Sequence, residues 1–149
     1  MNSLRIQRGI TRIELVVVVI IIVLLAGVAT SSYRAYVIRS QRADAKDALL
    51  ALVSQQEQHF LQCNRFANAI DAATSCADGR LRGTNVSRNG WYRLAIPSAN
   101  ATTFTVSATA VNGEDQYQDT PCRTFVVDQA GVRAAVDAGG ADNTDECWR

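Results

Sequence analysis

Residues 15–29 read LVVVVIIIVLLAGVA, fifteen positions without a charge. Nothing else in the chain limits its possible folds so strongly. Val16 to Val23 are eight successive β-branched residues, which in water favour a strand. The run is much longer than an ordinary strand, so its length selects a helix. In lipid a helix also satisfies every backbone group internally. A spanning helix needs about 20 mostly apolar residues. Extending the run back to Ile10 gives that length but takes in Arg12 and Glu14. A short basic leader, MNSLRIQRG, precedes it.

Three fates are open to such a segment. Gly27-Val28-Ala29 is a small-x-small site that suits removal of a secretory signal before Thr30. The run can instead persist as an uncut anchor. Or the leader is cut between Gly9 and Ile10, and the apolar helix stays on the mature protein. The flanking charges do not choose, because Arg5, Arg8 and Arg12 precede the run and Arg34, Arg39 and Arg42 follow it. Glu14 separates the readings. A charge at the bilayer centre costs roughly 2.5–3.5 kcal/mol, and less near an edge. Glu14 therefore either sits at headgroup level or needs a cationic partner. A new amine on Ile10 would be one. At about 4 Å and an effective dielectric near 20 that attraction is on the order of 4 kcal/mol before desolvation.

The string RGITRIELVVVVII, followed by SSYRAYVIRSQRADAKDALL, resembles a type IV pilin (prepilin). The family pattern is a basic leader ending in Gly, a hydrophobic residue, and Glu as the fifth mature residue; Gly9, Ile10 and Glu14 match it. Ser32, Tyr33, Tyr36-Val37, the Arg42–Lys46 stretch, Leu49, Leu50 and the ending Glu146-Cys147-Trp148 are similar to the PilE-like branch. The resemblance implies cleavage after Gly9 by a prepilin peptidase that also methylates Ile10. It implies that Glu14 pairs with the N-terminus of an adjacent subunit, and that an assembly platform in the inner membrane receives the product. It also implies a C-terminal disulfide loop that serves as a receptor-facing or interface region. Ile10 stands where Phe or Met is most common, Arg12 where an apolar residue is usual, and Ser31 where many pilins carry Pro. These departures fit a minor subunit at least as well as a major one.

From Tyr33 to Leu61 there is no Gly or Pro, and good helix formers dominate. The helix is therefore expected to continue to about Leu61. From Ile10 it would be roughly 78 Å long at 1.5 Å per residue. Tyr36, Ala43, Leu50, Val53, Phe60 and Leu61 recur near helical spacing as its buried face, with Asp44, Lys46, Asp47 and Glu57 facing away. Strand patterns follow at Trp91–Ile96, Thr102–Val111, Arg123–Asp128 and Val132–Val136. In the second, Phe104, Val106, Ala108 and Ala110 share one face. Ile96–Asn100 reads as a turn and Asn64–Asn89 as a long connector. The expected class is α+β: a long N-terminal helix, apolar then amphipathic, packed on an antiparallel four-stranded sheet. The expected divisions are a leader over 1–9, a hydrophobic transmembrane or pilus-core helix over 10–33, and a periplasmic head over 34–149.

Cys63, Cys76, Cys122 and Cys147 all follow the apolar run. Four cysteines allow three pairings, and nearest-neighbour pairing gives Cys63–Cys76 and Cys122–Cys147. Those loops would contribute about 3 and 3.5 kcal/mol in a chain-entropy account. No C-x-x-C occurs, so an exported, oxidising compartment fits better than a zinc or redox site. His59, the only histidine, reads as a surface or packed residue.

A chain of 149 residues with net charge +1 is too short for a large multidomain enzyme and has no overall basic footprint for nucleic acid. Locally the charge is uneven. Arg34–Arg93 carries nine basic and five acidic residues, and Glu114–Glu146 two basic and eight acidic. The two stretches read as solvated faces, or as complementary surfaces of neighbouring subunits. Arg80, Arg82 and Arg88 are candidates for DNA phosphate contacts. No catalytic constellation is visible, and no cofactor or metal is expected. The expected function is a structural subunit of a bacterial type IV pilus. It would be stored in the inner membrane and assembled into an extracellular fibre for twitching motility and adhesion. Its expected partners are other pilin subunits, and a surface receptor or DNA is a further candidate. Two alternatives stand beside it. One is a type II secretion pseudopilin, for which Asp142, Asp145 and Glu146 would have to form a calcium loop. The other is a periplasmic binding module or enzyme released before Thr30.

Overall fold

The computed structural model describes residues 11–149, with the backbone alone for residues 28–32. The leader, Gly9 and Ile10 lie outside the described residues. The chain divides into two compact units, with the boundary between Val37 and Ile38.

Helix α1 spans Arg12–Cys63 and includes Ser31. It stops where Asn64 takes a positive φ of 52° and donates its backbone N–H to the Phe60 carbonyl at 2.8 Å. Asparagine tolerates this left-handed conformation better than most residues, so it ends the helix. Before the boundary, the apolar side chains of α1 from Leu15 to Leu25 are all exposed, between 49% and 67%. Among the described residues no helix is long and apolar enough to cross a membrane.

The second unit is α+β. Strands β3 (Tyr92–Ala99), β4 (Phe104–Ala110), β5 (Thr124–Asp128) and β6 (Arg133–Val136) form one sheet in that order, every pair antiparallel. Phe104, Val106, Ala108 and Ala110 are all buried, as the alternation predicts. Ala45, Leu49 and Leu52 of α1 join them in one core with Tyr92, Phe125 and Val127.

Three local features differ from the sequence reading. First, Pro97 lies inside β3, at a register shift between Ala95 and Ser98. β3 is an edge strand, where a residue without an N–H is tolerated. The turn comes later: Asn100 donates its backbone N–H to the Thr103 carbonyl at 2.9 Å, and its Oδ1 accepts from the N–H groups of Thr102 and Thr103, both at 2.8 Å.

Second, the Asn64–Asn89 connector contains two short parallel strands, β1 (Ala69–Asp71) and β2 (Arg80–Arg82). Three-residue strands lack enough alternation to be recognised. They are held from outside. Gln56 of α1 donates Nε2–H to the Ala67 carbonyl and accepts the Ala67 N–H at Oε1, both at 2.8 Å. Cys63–Cys76 closes the loop.

Third, the buried face of α1 is rotated from the expected one. Tyr36 is 70% and Leu61 84% exposed, while Arg42, Asp44, Gln56 and His59 are buried. The hydrophobic pattern cannot register buried polar residues whose bonding partners lie far away in sequence.

The tail returns over the far edge. A short helix α2 (Thr144–Cys147) follows β6. Asn143 donates its backbone N–H to the Ala135 carbonyl at 2.9 Å, and Trp148 Nε1–H donates to the Ala134 carbonyl at 2.9 Å. An edge occupied in this way is less open to strand addition.

Candidate functional site

Glu14 lies in the first turn of α1, where its backbone N–H donates to Thr11 Oγ1 at 3.3 Å. A carboxylate suits that end of a helix electrostatically. The exposed apolar side chains that follow it make this the surface most in need of cover.

The second unit contains a buried polar centre. Arg42 donates Nε–H to Asp119 Oδ2 at 2.7 Å and an Nη2 hydrogen to Oδ1 at 2.8 Å. Gln116 Nε2–H also donates to Asp119 Oδ2, at 3.0 Å. The Asp119 hydrogen bond and charge hold the Arg42 pKa above its ordinary value, against desolvation. Tyr92 lies nearby, fully buried. Burial foremost, then the Asp119 charge, keep its hydroxyl protonated well above the usual range. Beside this centre Arg39, Arg42, Lys46, Glu146 and Arg149 line a hollow of about 480 Å³. Desolvation, then the charges of Arg42 and Arg133, push the Lys46 pKa down.

The three candidate DNA-contact arginines fare differently. Arg80 and Arg82 flank the buried Leu81 and are exposed. Arg80 is already paired, donating to Asp71 Oδ2 at 2.8 Å. Arg82 has no such partner among the described residues. Arg88 is exposed in a tight turn, where Gly90 donates its backbone N–H to the Ser87 carbonyl at 3.0 Å. Gly90 has a φ of 79°, which a side chain would strain.

The structure contains the disulfides Cys63–Cys76 and Cys122–Cys147. Cys76 is exposed, whereas Cys122 and Cys147 are both fully buried. His59 is buried, and its Nδ1 lies 2.9 Å from the Arg65 carbonyl. Among the described residues His59, Cys63 and Cys76 are the one group spaced for a metal, but both sulfurs are tied in the disulfide. Asp142 accepts the Thr144 hydroxyl, and Glu146 Oε1 lies 3.8 Å from Arg42. The acidic trio of the calcium-loop alternative thus makes no ligand cluster among the described residues.

A family model described as "Type IV minor pilin ComP, DNA uptake sequence receptor" matches residues 31–126. That is more than half of the chain, and the chain belongs to this type IV minor pilin family. A solved type IV pilin from Shewanella oneidensis is 24% identical, with a TM-score of 0.42, over 64% of this chain and 89% of that one. Among curated proteins no sequence matches.

Sequence reasoning missed Asp119, Gln116 and Gln56. Each owes its role to a partner in another element, and no local pattern marks it. Asp44, expected to face solvent, is buried and accepts the Asn89 side-chain amide at 3.0 Å.

Proposed function

We propose that this chain is a minor subunit of a type IV pilus. It is anchored in the inner membrane by residues 10–33 and passes from there into the extracellular fibre. The observation that carries the reading is the uncovered apolar surface of α1, with every side chain from Leu15 to Leu25 at least about half exposed and Glu14 one residue before it. Such a surface needs lipid or other apolar helices around it. Exchanging one for the other leaves it away from water throughout, so little hydrophobic free energy separates membrane from fibre.

In this reading a peptidase cuts after Gly9 and methylates Ile10. Glu14 then meets the amine of a neighbouring subunit at the assembly platform, which sets the axial register of the incoming chain. Pilus biogenesis, motility and adhesion follow as functions of the fibre. Glu14→Ala and Glu14→Lys are expected to accumulate in the membrane at normal levels and to be missing from sheared fibres. Immunoblots of the two fractions measure this. Normal incorporation of both variants contradicts the role given to the carboxylate.

The family's printed description names a receptor for a DNA uptake sequence, and we carry that reading to the head of this chain. Support comes from Arg82 and Arg88, both exposed, on β2 and on the Ser87–Gly90 turn. Each phosphate neutralised releases counterions, so affinity falls with salt. Arg82→Ala is expected to weaken binding to a DNA duplex and to reduce the slope of log K against log salt by about 1. Fluorescence anisotropy over a salt series measures it. An unchanged slope removes Arg82 from the contact.

A further inference from the structure

We infer that the head, once Cys63–Cys76 is reduced, binds one zinc-class divalent cation at the end of α1, through His59 Nε2 and the sulfurs of Cys63 and Cys76. Metal and disulfide are then alternative fastenings of the connector to α1.

The argument starts from His59. It is 2% exposed, and its Nδ1 lies 2.9 Å from the Arg65 carbonyl. A carbonyl only accepts, so Nδ1 carries the proton and Nε2 keeps a lone pair. Nε2 is buried and has no hydrogen-bond partner. A buried polar atom left in this way is costly and calls for a reason. Donating one ring N–H to a backbone carbonyl, with the other nitrogen on an ion, is the usual arrangement of a metal-ligating histidine.

Two sulfurs lie beside that ring. His59 and Cys63 are one turn apart on α1 and share a face. The ligand atom of the ring and both sulfurs all lie within 4.8 Å of one another. Around a tetrahedral zinc, with bonds of about 2.0–2.1 Å to nitrogen and 2.3 Å to sulfur, such atoms are roughly 3.5–3.8 Å apart. Rotation of the two cysteine side chains spans that difference. Nε2 needs no exposed surface of its own, because the ion takes the place of the S–S bond beside it. Cys76 is exposed and gives both reductant and ion their access.

The backbone around Cys76 is held without the disulfide. Ser75 and Arg80 exchange both backbone N–H···O bonds, at 2.9 and 2.8 Å, and Gln56 of α1 holds Ala67 in both directions. Opening the S–S bond therefore leaves the two sulfurs near each other. Two equivalents of a thiol convert the bond to two cysteine thiols and become a disulfide themselves. One Zn2+ then displaces both thiol protons and forms two Zn–S bonds, while Nε2 adds its lone pair and releases no proton. Water fills the fourth position. Two thiolates cancel the charge of the ion, which suits a half-buried place.

The test uses the full, untagged chain in detergent, in which His59 is the only histidine. One equivalent of a water-soluble phosphine opens Cys63–Cys76, with water supplying the oxygen of the phosphine oxide. Alkylation and peptide mapping check that Cys122–Cys147 is intact. Zn2+ is then titrated against a chromophoric chelator. The reduced chain is expected to take up one ion and the oxidised chain none. The ring nitrogen resonance of Nε2 is expected to move on binding while Nδ1 keeps its proton. Co2+ in place of Zn2+ is expected to show thiolate charge-transfer and tetrahedral d–d bands. His59→Asn, whose amide can still donate to the Arg65 carbonyl, is expected to weaken binding at least about tenfold, since even the outer partners of a ligand are worth about 10–100-fold. The inference is overturned if the reduced chain takes up no Zn2+, if the oxidised chain binds it equally, if the Nε2 resonance stays, or if His59→Asn binds as the parent does.

Discussion

Asp119→Ala is expected to destabilise the head by about 3–5 kcal/mol, the usual cost of removing one partner from a buried ion pair. The side chains of Arg42 and Asp119 are 8% and 3% exposed, and two hydrogen bonds join them. Alanine would leave the guanidinium desolvated, with Glu146 at 3.8 Å as its one remaining carboxylate partner among the described residues. Gln116 would lose its acceptor as well. The cost therefore comes from the stranded charge, and replacing both partners should be far milder. Arg42→Met combined with Asp119→Leu is expected to recover much of the loss. Denaturant midpoints followed by near-ultraviolet circular dichroism measure both. A single variant within about 1 kcal/mol of the parent contradicts the account, because that is the range of an exposed pair.

The second large effect concerns Cys122–Cys147. Replacing both cysteines with alanine is expected to cost about 3.5 kcal/mol, from the loop-closure entropy of the segment that the bond spans. The structural consequence is local. This bond fastens α2 to Cys122, just before β5, and the Trp148 bond to the Ala134 carbonyl of β6 lies on the same tail. Loss of the bond is expected to raise amide exchange across Arg133–Val136 first. Cys63–Cys76 behaves differently, because Cys76 is exposed while Cys122 and Cys147 are buried. Access governs thiol exchange, so a mild thiol is expected to reduce Cys63–Cys76 first. Alkylation and peptide mapping give the order. Loss of Cys122–Cys147 first would contradict the assigned burial.

What the sequence made legible was what local chemistry encodes. The charge-free run from Leu15 determined a helix. The alternation from Phe104 to Ala110 located the central strand and its buried face. The absence of Gly and Pro after Tyr33 carried the helix to within two residues of its end at Cys63. What stayed hidden depends on partners distant in the chain. Arg42 and Asp119 are 77 positions apart and bury each other's charge. Gln56 sits in the core because it binds the Ala67 backbone in both directions. Pro97 reads as a turn until β3 is known to be an edge strand. The pairing of Asp44 with Asn89 was illegible for the same reason: the two are brought together only by the packing of α1 against the Ser87–Gly90 turn.

The central claim is that an apolar helix remains on the mature subunit and begins with the segment that carries Glu14. Mass spectrometry of the N-terminal peptide from protein isolated in sheared fibres and in membranes tests it most directly. The account predicts a chain that starts at Ile10 with a methylated amine. A mature chain that starts at Thr30 would contradict it.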